Sequence, residues 1–153
     1  MDYQLPLDQF LEQVARHPQE IYLHQPDSGH WRTLSWEEVN DQARRIASGL
    51  LDQGYEAGDR IAILSKNCAE WFIADIAIAM AGMISVPIYP SAENKTIEHV
   101  LSHSAVRAVF VGKLDNINFA EQALNSSVLR IAMPYPTANA QVNWQAWLGT
   151  YSP

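Results

Sequence analysis

The spacing of apolar positions changes several times along the chain, and each change marks an element. From residue 7 to 16, Leu7, Phe10, Leu11, Val14 and Ala15 recur at three- and four-residue steps, which predicts a short amphipathic helix closed by Pro18. The stretch "IYLHQPDSGHWRTLSW" has two β-rich runs around Pro26-Asp27-Ser28-Gly29 and predicts a hairpin with strands over 20–25 and 30–34. Ser35 and Glu38 have the S-x-x-E spacing of a capping box, in which side chains satisfy the orphan amides of a helix start. Trp36, Val39, Ala43, Ile46, Ala47, Leu50 and Leu51 then line one face of a long helix, and Gly54 suits its left-handed C-terminal position.

Beyond residue 59 the pattern is different. "RIAIL", "ISVPI", "RAVFV" and "VLRIAM" are short apolar runs of strand length, with helical segments predicted between them over 67–81, 96–104 and 119–125. Asn67 with Glu70 forms a weak cap signal, Gly82 ends the first of these helices, and Pro87 predicts an end or an irregularity in the pairing of "ISVPI". Because apolar residues cover most of the first helix, both its sides are expected to be packed. Four strands alternating with three helices imply right-handed crossovers and a mostly parallel sheet with helices on both faces. The predicted fold class is α/β, preceded by an N-terminal helix and a β-hairpin, in one unit over 1–153. "PYPTANAQ" is expected to be a loop and "VNWQAWLG" a short helix.

The run "NCAEWFIADIAIAMAGMISVPIYP", residues 67–90, is the most apolar part of the chain but does not make a membrane span. Such a span needs roughly 20 apolar residues without a central charge, whereas Asp75 lies inside this run and Gly82 and Pro87 break it. A hydrophobic content of 48% with 18% charged residues is that of a globular protein, and a net charge of −7 disfavours nucleic acid as a partner. Cys68 is the only cysteine, so no intrachain disulfide forms. Together with an N-terminus that lacks the features of a signal peptide, this leads to an expectation of cytoplasmic localisation.

Candidate chemistry is sparse. Neither G-x-G-x-x-G nor G-x-x-x-x-G-K-[ST] occurs. Ser65 and Lys66 precede a helix start that could attract an anion, but an ordinary cap with a solvated lysine is the better explanation of them. His99 and His103 stand one helical turn apart without a third-ligand motif, and surface or packing roles account for them. His17, His24 and His30 carry weaker signals. Cys68 sits where a helix dipole lowers a thiol pKa but has no neighbouring histidine in sequence, so it reads as a packed residue. The cap positions of Glu37, Glu38 and Glu70 explain them without chemistry. Trp31, Trp36, Trp71, Trp144 and Trp147 form no spaced stripe and read mostly as packing. No catalytic, cofactor-binding or metal residue is assigned.

Four blocks, "WRTLSWEEV", "ARRIASGLLDQGYEAGDRIAIL", "KNCAEWFIADIAIAMAGMISVPIYP" and "IEHVLSHSAVRAVFVGKLD", occur in an order and spacing that resemble the N-terminal part of the AMP-forming acyl-CoA synthetases, the adenylate-forming superfamily. Within it, N-x-x-E-W leading to A-G and V-P-I-Y-P is most similar to bacterial long-chain fatty acid CoA ligases. Ser91 replaces the common threonine after Tyr-Pro. The resemblance implies an N-terminal subdomain of the adenylate-forming fold whose parent activates a fatty acid with MgATP to acyl-AMP and transfers the acyl group to CoA. It implies ATP, Mg and CoA for the parent and none of them for this chain, because the family's phosphate loop and later motifs are absent. The expected partner is the remainder of the synthetase, and a homodimer is a further candidate, since this part makes a dimer contact in some relatives. The chain alone is expected to be inactive. The rival expectations are a non-catalytic binding or assembly module of the same fold, an adenylating ligase for another carboxylic acid, and a complete flavodoxin-like nucleotide-binding protein.

Overall fold

The computed structural model describes residues 4–124, 128–136 and 139–153. Helix α1 (Pro6–Arg16) leads into a hairpin of β1 (Ile21–Asp27) and β2 (His30–Ser35), followed by α2 (Trp36–Asp52). The hairpin turn is Ser28-Gly29, both with positive φ (47° and 86°), a two-residue geometry that matches the twist of the flanking strands. Pro26 and Asp27 therefore belong to β1, paired with Trp31 and His30, and not to the turn the sequence predicts. The α2 capping box forms as expected: the Glu38 amide donates to Ser35 Oγ at 3.2 Å and the Ser35 amide to Glu38 Oε2 at 2.7 Å.

The central sheet comprises β3 (Arg60–Leu64), β4 (Ile84–Ile88), β5 (Ala108–Val111), β6 (Leu129–Ala132) and β7 (Val142–Asn143). Its spatial order is β4-β3-β5-β6-β7 and every pairing is parallel. The crossovers are α3 (Ala69–Met80), α4 (Asn94–His103) and α5 (Ile117–Ala123), and α6 (Trp144–Thr150) follows β7 directly. β7 was not foreseen, since two residues carry no periodicity. Position 125, the predicted end of α5, lies outside the described residues. Pro87 causes no irregularity: it pairs in register with Ile63, and β4 is an edge strand, where a missing N–H is tolerated.

Alternate residues of each strand feed two cores. Ile61, Ile63, Ala108, Phe110 and Ile131 face the layer of α1, α2, α3 and α6, while Ala62, Leu64, Val109 and Val111 face α4 and α5. Burial on both faces is why these strands read as continuous apolar runs. Trp144 and Trp147 of α6 are core residues, and the Trp147 ring lies so close to Gly49 of α2 that an added Cβ would stand 2.5 Å from it. Trp36 stacks on Tyr22 at 3.8 Å, in line with the packing expected of most tryptophans, while Trp31 is 68% exposed and makes an edge contact with His24 on the hairpin. α3 is also less enclosed than predicted: Phe72 is 40% exposed.

Candidate functional site

Among the core strands alone, the order is second-first-third-fourth-fifth. The chain leaves β3 toward α3 on one face of the sheet and β5 toward α5 on the other. The carboxyl ends of β3 and β5 therefore form the topological switch point, where doubly wound sheets bind ligands. Here that point is occupied by protein. Ser65 Oγ, 3% exposed at the residue level, donates to the Lys66 carbonyl at 2.7 Å and accepts the Lys113 amide at 2.9 Å. The Lys66 amide donates to the Lys113 carbonyl at 2.8 Å. Gly112 lies so close that a Cβ would fall 2.3 Å from Ser65 Oγ and 2.6 Å from Met133 Sδ. Lys66 Nζ pairs with Asp115. Ser65 and Lys66 thus brace two loops and present no open anion site.

The helix start beside them is also satisfied. α3 begins at Ala69 with Cys68 as its N-cap, one residue later than the Asn67 cap predicted, and Cys68 makes no capping bond. The capping oxygen comes from the hairpin: Gln25, buried, accepts the Ala69 amide through Oε1 at 2.8 Å and donates through Nε2 to the Pro26 carbonyl at 3.0 Å. Nothing in the local spacing signals this cap, because its donor and acceptor are 44 residues apart.

Glu70 departs most from the sequence expectation. It is 1% exposed and accepts from Arg32 Nη2 at 2.5 Å and from the Tyr135 hydroxyl at 2.6 Å. A buried carboxylate is retained only when paired and hydrogen-bonded, and this one joins β2, the first turn of α3 and the segment after β6. Burial raises the Tyr135 pKa, and the hydrogen bond and charge of Glu70 raise it further, so the phenol stays a neutral donor. For Arg32, burial pulls downward, but the bond to Glu70 and its charge prevail and the pKa rises. A cleft of about 410 Å³ adjoins this cluster, lined by Gln25, Asp27, Arg32, Glu70, Tyr135 and flanking prolines.

The other sequence candidates do not converge on it. Glu38 serves the α2 cap, Glu37 accepts from Gln19 at 2.5 Å, and His17 contacts Glu20. His24 meets the edge of Trp31 on the hairpin, and His30 is exposed at its far end. His99 and His103 are exposed on α4. Cys68 is buried, with Sγ 3.7 Å from Ser65 Oγ. Among the described residues no three metal-ligating side chains come together. Among the described residues the arrangement ties loops together and engages Lys66 and the α3 start with Asp115 and Gln25, which leaves no free cation or helix-start amide of this set for a phosphate.

The family model for AMP-binding enzymes matches residues 10–146. The chain belongs to that family. Among curated members, it is 34% identical over 115 residues to long chain acyl-CoA synthetase 2 of Arabidopsis thaliana, covering 72% of this chain and 17% of that protein. It is 37% identical over 82 residues to the long-chain-fatty-acid CoA ligase FadD15 of Mycobacterium bovis, covering 54% of the chain and 14% of that ligase. The chain thus spans about a sixth of the relatives it matches. The fold is shared with the anthranilate CoA ligase AuaEII solved with anthranoyl-AMP (TM-score 0.83, 18% identity, 98% of this chain and 29% of that one). It is shared too with the N-terminal subdomain of Klebsiella oxytoca NpsA solved with 3-hydroxybenzoyl-AMSN (TM-score 0.71, 18% identity, 98% and 32%). This member of the AMP-binding enzyme family therefore has the fold of the matching part of those solved structures. No helix among its described residues is long and apolar enough to cross a membrane.

Proposed function

We propose that residues 1–153 are the N-terminal scaffold of a long-chain fatty acid CoA ligase that acts in the cytoplasm. In this proposal the larger protein activates a fatty acid with ATP to acyl-AMP and pyrophosphate, and the CoA thiol then displaces AMP. The observation that carries the reading is the sequence identity to long-chain acyl-CoA synthetases, 34% over 115 residues and 37% over 82. Phosphate clamping and stabilisation of leaving pyrophosphate require converging cations and fixed dipoles. In this chain the candidates for that work, Lys66 and the start of α3, are already engaged by Asp115 and Gln25. Its residues instead hold the sheet and the hairpin in register.

The test is fatty-acid-dependent ATP–pyrophosphate exchange, run on the 153-residue chain and on the longer ligase that contains it, across acyl chain lengths and with thioester detection. The expected result is no exchange by the chain and exchange by the longer protein with long-chain acids. Robust exchange by the chain alone would overturn its scaffold role. Activity of the longer protein with amino or aromatic acids only would overturn the substrate assignment.

A further inference from the structure

His99 and His103 lie on the exposed side of α4, opposite the buried Ile97 and Leu101. Their rings are stacked, with centroids 5.3 Å apart and planes 15° from parallel. Among the described residues neither imidazole has a hydrogen-bond or ion-pair partner, and neither side chain is packed into a core. The sequence leaves these residues as surface or packing histidines. The structure removes the packing role and places two unused imidazoles face to face on one helical stripe.

We propose that His99 and His103 form a two-imidazole chelate for a borderline transition-metal dication such as Zn²⁺, Ni²⁺ or Cu²⁺. Neutral imidazole is a preferred ligand for these ions. Side chains one turn apart on a helix are neighbours, and the two ring centroids are 5.3 Å apart, so rotations about the side-chain torsions direct one nitrogen of each at a single ion. Both residues are exposed, so coordination displaces only water. Once one imidazole has bound, the second binds intramolecularly at high effective concentration. His103 is in the last turn of α4, where the unsatisfied carbonyls favour positive charge. Lys95, one turn before His99 on the same stripe, is exposed, and its flexible stem carries the ammonium out into solvent. With no third protein ligand converging among the described residues, water completes the coordination sphere. The site is thus an exchangeable one and not a structural zinc centre.

Because the pair is preorganised only when α4 is folded, metal binding stabilises the folded chain. The experiment is titration of the 153-residue chain with Ni²⁺ or Zn²⁺, read by calorimetry and by the histidine side-chain nitrogen resonances. Unsubstituted protein is compared with His99→Gln, His103→Gln and His24→Gln. Glutamine is a good helix former at an exposed position, and circular dichroism verifies that each variant keeps its fold. One metal per chain is expected, with His99 and His103 resonances shifting together. Either α4 variant should weaken affinity by roughly 100-fold through loss of the chelate, while His24→Gln leaves it unchanged. Affinity of the α4 variants within about twofold of the unsubstituted chain, or equal loss with His24→Gln, would overturn the assignment.

Discussion

Replacing Arg32 with methionine removes the guanidinium from Glu70 while keeping a flexible apolar stem of similar reach. Glu70 is 1% exposed, so its carboxylate would remain buried with the Tyr135 hydroxyl as its one remaining side-chain donor among the described residues. Breaking a buried ion pair from one side costs about 3–5 kcal/mol because the other charge is left uncompensated. The Arg32 side chain is 36% exposed, which lets water reach one side of the pair, so the low end, about 3 kcal/mol, is expected. Glu70→Gln removes the buried charge itself and leaves Arg32 next to water, so it should cost less. The double variant Arg32→Met/Glu70→Gln should then be more stable than the sum of the two changes predicts, by at least about 1 kcal/mol.

Urea unfolding followed by tryptophan fluorescence measures all three, with the slope checked for constancy so that midpoint shifts report stability. A cost below about 1 kcal/mol for Arg32→Met, with additive behaviour in the double variant, would place the pair with ordinary surface salt bridges. The claim that Glu70 depends on Arg32 would then be refuted.

The remaining predictions concern the same sheet edge and the helix layer. Tyr135→Phe should cost about 1.5–3 kcal/mol in the same assay, since a hydrogen bond to a charged acceptor is lost. The raised Tyr135 pKa means the folded chain keeps a proton that an unfolded tyrosine loses near pH 10. Its contribution is complete below about pH 10 and falls as pH rises beyond it, so Tyr135→Phe should flatten alkaline denaturation. Gln25→Ala should cost about 1 kcal/mol, as loss of a helix cap does, and should speed hydrogen exchange at the Ala69 amide. Gly112→Ala forces a methyl against Ser65 and Met133 and should destabilise by about 1–3 kcal/mol, visible as a lower thermal midpoint. Gly49→Ala should displace α6, shifting Trp147 emission to the red as its ring moves toward water.

The parallel sheet was legible because burial on both faces turns β3, β4, β5 and β6 into uninterrupted apolar runs. The α2 start was legible because both partners of its cap lie within one turn. What escaped was non-local. β7 is two residues long and is held by its pairing with Ile131 and Ala132. The α3 cap depends on Gln25, and the function of Glu70 on Arg32 and Tyr135, none of which is close to it in sequence. Spacing reports faces of local elements. It cannot report which side chain a distant loop delivers, so an acid in a first helical turn reads as a cap residue when it is a tie between three segments.

Non-local contacts also tie the loops after β3 and β5 to each other at the switch point. An open crevice needs the loops after β3 and β5 to part and expose amide hydrogens, whereas here the Lys66 and Lys113 amides are both bound across the gap. That closure requires a small hydroxyl at 65 and no side chain at 112, with a deformable sulfur from Met133 filling the space that remains. A larger residue at either position would part the loops and free both amides. The close approach of Gly112 to Ser65 is therefore what braces the two loops against each other. Strand order, which the hydrophobic pattern does predict, does not report this brace, because the brace joins two loops distant in sequence.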